Sequence, residues 1–76
     1  PSEVEALVHG FYRRAKLEKR PLDVVMLEDI LKDIQDGNLT RDEGKTLLQI
    51  WTKYAVNKLP KAQFSNRFKR KFIIQK

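Results

Sequence analysis

The stretch Phe64-Ser-Asn-Arg-Phe-Lys-Arg-Lys-Phe72 sets Arg67, Lys69, Arg70 and Lys71 among three aromatic rings, with no acid between them. Two chemistries suit such a stretch. Its cations can neutralise phosphates and release condensed counterions, which gives affinity that ignores base sequence. Exposed rings can stack on unpaired bases. The spacing separates the two, because Phe64, Phe68 and Phe72 recur every fourth residue and a helix would align them on one face. Rings so aligned read as core anchors, and the cations as a solvated rim. Lys58, Lys61 and Lys76 extend that rim, and Arg13 and Arg14 near the other end of the chain are further contributors.

The acids invite a different chemistry. Glu28, Asp29, Asp33 and Asp36 cluster closely enough to suggest a carboxylate pair for acid–base work. Such a pair needs a cleft that perturbs it. On a helical wheel these four fall opposite the apolar stripe, so they are expected on a solvated face. They also suit a partner-binding role, answering the basic C-terminal segment within one molecule or across a homodimer. Asp33 to Glu43 has a superficial likeness to a calcium loop, but aligning Gly37 with the obligatory glycine puts Lys32 and Ile34 where oxygen ligands belong. There is no Cys, and His9 is the only His, so zinc sites built from Cys and His are excluded, and thiol chemistry with them. His9, without a Ser or Cys partner, is expected to be exposed on a polar face near Arg13 and Lys16. No general acid, base or nucleophile emerges, so the expectation is a non-enzymatic domain with no cofactor and no metal.

Positioning these residues falls to helices. Ser2 and Glu5 have the spacing of a capping box, and Val4, Leu7, Val8, Phe11 and Ala15 follow on one face. Pro21 ends that helix. A second is expected from about Leu22 to Asp36, with Val24, Met26, Leu27, Ile30, Leu31 and Ile34 facing inward and Gly37 closing it in the left-handed conformation. Thr40-Arg41-Asp42-Glu43 opens a third, to about Asn57, with a complete capping box. The short connection makes these two antiparallel neighbours. Leu47, Leu48, Ile50, Trp51, Tyr54 and Ala55 give the third helix the widest apolar face, that of a central helix, with Trp51 as its main core anchor. Pro60 suits the first position of a fourth, which Ser65-Asn66 interrupts, leaving Ile73-Ile74 as tail. The fold class is therefore all-α, a compact bundle of three to four short helices forming one domain over residues 1–76. The initial Pro1 suits a domain excised from a longer chain.

Charge sets the functional expectation. The net charge of +6 is unevenly spread. Residues 21–43 carry two cations against seven acids, whereas residues 44–76 carry nine cations and no acid. Solvation alone does not demand such a division. The leading expectation is nucleic-acid binding, with Lys58, Lys61, Arg67, Lys69, Arg70 and Lys71, aided by Arg13 and Arg14, holding the backbone of DNA or RNA. The alternative is a protein-interaction or oligomerisation module that pairs its acidic helix (Glu28, Asp29, Asp33, Asp36) with a basic one. A helix-turn-helix reading fails because Asp42 and Glu43 at the start of the recognition helix would repel phosphates. A membrane surface is disfavoured because the bundle needs the short apolar row. The longest apolar run is four residues, Val24 to Leu27, and no secretory signal is present. An intracellular setting, cytoplasmic or nuclear, is expected.

Overall fold

A computed structural model describes residues 2–73, so Ile74 and Lys76 lie outside the described residues. Helix α1 spans Glu3–Glu18, α2 Leu22–Gln35 and α3 Arg41–Lys58. A 3₁₀ turn, Lys61–Gln63, leads to α4, a single turn Asn66–Phe68 that runs on as a π-type turn, Lys69–Ile73. There is no strand among the described residues. The fold is a small all-helical bundle, as the apolar periodicity requires.

Local chemistry sets each boundary. Ser2 Oγ accepts from the amide of Glu5 at 3.1 Å, and Thr40 and Glu43 exchange both bonds of their capping box. Gly37, at φ +81°, ends α2, with Asn38 N–H donating to Asp33 and Gly37 N–H to Ile34. Helix α1 ends in the same motif, with Arg20 N–H donating to Ala15 and Lys19 N–H to Lys16. Here, however, the left-handed residue is Lys19, at φ +57°. Pro60 precedes the 3₁₀ turn instead of opening a long helix. Ser65 does interrupt the last segment. Its Oγ accepts from Phe68 N–H and starts α4 afresh.

Helix α2 supplies Leu22, Val25, Met26 and Ile30 to the core, α1 supplies Val8, Phe11 and Ala15, and α3 supplies Trp51 and Ala55. Leu59 and Phe64 close it from the C-terminal side. This corrects the expected faces. Leu22 and Val25 are buried, while Leu27, Leu31 and Leu7 are exposed. Ile50 is exposed too, so α2, not α3, carries the most deeply buried residues. The reason is rotational. Each helix turns toward two neighbours at once, and their bisector need not match the centre of its apolar arc. Gly44, near the start of α3, meets Ile30 and Ile34, near the end of α2, which fixes the two as antiparallel. A methyl at Gly44 would stand 3.0 Å from Ile30 Cγ2 and Ile34 Cδ1, so its absence permits this approach. Helix α1 meets the later half of α3 through Phe11 against Trp51 (ring centroids 4.9 Å) and His9 against Tyr54 (5.9 Å). These contacts step back along α1 as they step forward along α3.

Candidate nucleic-acid interface

Antiparallel packing brings the C-terminal end of α3 to the N-terminus of α2, where α1 also ends. Cations favour helix C-termini because the macrodipole is negative there. Two helices that place Lys16 and Lys58 in their last turns thus deliver them to one end of the molecule. An open cleft of about 390 Å³ lies at this end, with Lys16, Lys19 and Arg20 on one bank, Ala62 and Gln63 on the other, and Phe64 between. Lys58 and Lys61 flank it in sequence, and both are exposed. The opposite end, where α2 turns into α3, carries Asp36, Asp42 and Glu43, all exposed. Exposed acids thus gather at the end away from the cleft, where Arg41 and Lys45 stand beside them.

The expected site residues fare unevenly. Lys58, Lys61, Arg67, Arg70, Lys71 and Arg13 are exposed, and Lys69 is half-buried. Arg14 is partly committed: it pairs with Glu18 at 3.9 Å and its guanidinium lies 5.8 Å from the Phe11 ring. None of Lys16, Lys19, Lys58, Lys61, Arg67, Lys69 or Arg70 makes an ion pair with a described acid. Lys71 lies 5.5 Å from the centroid of Phe72. Lys16 and Lys19 line the cleft opposite Ala62 and Gln63 of the 3₁₀ turn, a proximity with no local signal in the sequence. The aromatic row divides by depth, with Phe64 buried, Phe68 half-buried and Phe72 exposed. Successive rings pack at 4.7 Å, so the first two serve the core.

The acidic arc needs correction. Only Glu28 and Asp36 are exposed; Asp29 and Asp33 are half-buried, because they share the sector of Val25, Met26 and Ile30 instead of opposing it. Glu28 receives the Arg20 guanidinium, whose hydrogen bond and charge hold its carboxyl below the usual range and raise the pKa of Arg20 in turn. An acid that the sequence reading passed over does more. Asp23 Oδ1 accepts from Ser65 N–H at 2.7 Å and Asp23 Oδ2 from Ser65 Oγ–H at 2.8 Å, fastening the C-terminal segment to the start of α2. The two residues are 42 positions apart, and a lone Asp in a first helical turn has an ordinary dipole explanation. Ion pairs of the described residues therefore leave the C-terminal cations, Lys71 aside, unneutralised.

His9 is not free on a polar face. It is half-buried, with Nε2 3.1 Å from the Tyr54 hydroxyl. Burial, and then the Glu5 carboxylate, push the Tyr54 phenol up from its ordinary value. Trp51 is a core residue at 4% exposure, as its spacing implies, yet its buried Nε1 has no hydrogen-bond partner. Among the described residues no three His, Asp or Glu side chains group so as to hold a metal ion. No helix among them is long and apolar enough to cross a membrane. No family model matches the chain, and no curated protein or solved structure is significantly similar to it.

Proposed function

We propose that this domain binds the backbone of DNA or RNA through its basic end, with Lys16, Lys19, Lys58, Lys61, Arg67 and Arg70 as the principal contacts. Arg13, Arg14, Lys69 and Lys71 contribute around them. The observation that carries the reading is that these principal cations are exposed and make no ion pair with any described acid. Helix dipoles account for Lys16 and Lys58, but Lys61, Arg67 and Arg70 lie beyond the last turn of any long helix. Their concentration has a surface potential as its consequence. Acids at the opposite end add a dipole that turns the basic end toward a polyanion during encounter. Recognition is weakly selective, since phosphate contacts position a protein without reading bases. Phe64 and Phe68 are packed away, so base stacking falls to Phe72 alone.

Titration of labelled duplex and single-stranded oligonucleotides across a salt series tests this. Reversing Lys58, Lys61, Arg67 and Arg70 to Glu should weaken binding and reduce the slope of log K against log salt by about 0.9 per lost duplex contact. Lys32→Glu, at an exposed position of α2 away from the cleft, changes net charge with little effect on the slope. An equal loss per reversed charge in the two variants would show that overall charge, not this surface, drives association.

A further inference from the structure

The basic end leaves unexplained an apolar trough along the seam of α2 and α3. Leu27 is 43% exposed and Leu31 54%, one helical turn apart, and Leu48 faces them from α3. Two adjoining depressions of about 330 and 300 Å³ share Leu27 and Leu48 and follow one another along the seam as a groove. Gly44 lines it toward one end and Phe72 toward the other. Leucines exposed on an inward-turned seam are not needed by the core, which has rotated away from them. A groove of this kind admits the apolar face of a single helix, read at i, i+3/i+4 and i+7.

Its charge selects the occupant. The α3 bank carries Arg41, Lys45 and Lys53 around Gln49, with no acid, and none of the three makes an ion pair with a described residue. On the α2 side, Glu28 is paired with Arg20, while Asp23 lines the groove as a carboxylate whose neutral Ser65 donors leave its charge in place. The cations Arg41, Lys45 and Lys53 outnumber this one acid, so the lining is net positive and its cations lie on the α3 side. Twelve residue rises separate Arg41 from Lys53, or about 18 Å, the length of a helix of three to four turns. A second copy of this chain, itself +6, would bring more positive charge to a positive bank. We infer that the α2–α3 groove receives one amphipathic helix of a partner protein, some three turns long, with leucine-like residues inward and acids flanking them against Arg41, Lys45 and Lys53. This site does not depend on the nucleic-acid reading, and it differs from the protein-interaction alternative drawn from charge alone, since apolar contact supplies affinity and the cations supply orientation.

The test is amide-resolved NMR of the 76-residue domain. The probes are helix-stabilised peptides of about four turns, in three registers, with Leu at i, i+3 and i+7 and Glu along one flank. A Lys-flanked set is the control. The Glu-flanked set should shift Leu27, Leu31, Gly44 and Leu48. Leu31→Lys, at an exposed position, should weaken it at least about ten-fold with the fold intact, as loss of a central anchor does. Lys45→Glu should weaken the Glu-flanked peptides and strengthen the Lys-flanked ones. Four outcomes would overturn the inference. They are no groove shifts with any register, equal binding of both peptide sets, self-association abolished by Leu31→Lys, and a duplex oligonucleotide moving Arg41, Lys45 and Lys53 as strongly as it moves Lys58 and Lys61.

Discussion

Removing the Asp23–Ser65 clamp tests whether a long-range polar contact, rather than the phenylalanine row alone, holds the C-terminal segment in place. Asp23 accepts two hydrogen bonds, and bonds to a charged group are worth about 1.5–3 kcal/mol each. Both partners are half-buried, so the low end applies, giving about 3 kcal/mol for the two. Loss of an acid from the first turn of α2 adds about 0.5 kcal/mol. A domain this small has about 3–5 kcal/mol from its core, so Asp23→Ala should leave it barely folded. Asp23→Asn is the more informative variant. It keeps an acceptor for the Ser65 amide and gives up the charge, at about 1–2 kcal/mol. Ser65→Ala should cost about 2 kcal/mol, since it removes one bond to Asp23 and the cap on Phe68. Urea denaturation of Asp23→Asn, Ser65→Ala and the double variant that combines them, followed by circular dichroism, closes the cycle. A coupling of about 1 kcal/mol or more is expected, with faster amide exchange at Ser65 and Phe68 in each single variant. Costs that add to within about 0.5 kcal/mol would refute the reasoning. The segment would then be held by Phe64 and its stacked neighbours alone.

Trp51→Ala should cost about 3–5 kcal/mol and unfold the domain, whereas Trp51→Phe should cost far less, because it also removes the unpaired buried Nε1; equal melting losses would show that the indole nitrogen finds a partner. Lys19→Gly should stabilise by up to about 1 kcal/mol, since a lysine now holds the left-handed position that glycine occupies freely. Gly10→Ala should also add about 1 kcal/mol, because nothing lies within 4 Å of its added methyl, while Gly44→Ala should not, as Ile30 and Ile34 are in the way; thermal melts of the three variants check the order. Tyr54, raised by burial and by Glu5, favours the neutral phenol in the fold, so its contribution is complete below the unfolded pKa and disappears as pH rises through the folded one. Phenolate absorbance in a Tyr12→Phe background should titrate later than free tyrosine and shift partway back with Glu5→Gln; no response to Glu5→Gln would remove that carboxylate from the account.

Legibility in the sequence followed the range of the forces. The capping box at Thr40 and Glu43, the left-handed Gly37 and the break at Ser65 are decided within four residues, where hydrogen-bond geometry leaves few options, and all were readable. Phe64 and Trp51 were readable as core because large rings at helical spacing have no cheaper place than the interior. The inward faces of α1 and α2 were read less well. Leu7, Leu27 and Leu31 fit an apolar stripe as well as Val8, Leu22 and Val25 do, and only the direction of the neighbouring helices distinguishes them.

By itself, then, the sequence determined the three long helices, their caps and a one-dimensional separation of charge, because each depends on residue type and near neighbours. The tertiary structure decided which surfaces those charges and leucines form. Antiparallel packing of α2 on α3 carries Lys58 and Lys61 to the end where Lys16 and Lys19 finish α1. Asp23 becomes a clamp only because Ser65 returns to it across 42 residues. Rotation of α2 toward α1 and α3 together takes Asp29 and Asp33 partly inside and leaves Leu27 and Leu31 outside. Each is a compromise among several packed neighbours, and no window of sequence contains all the partners that set it.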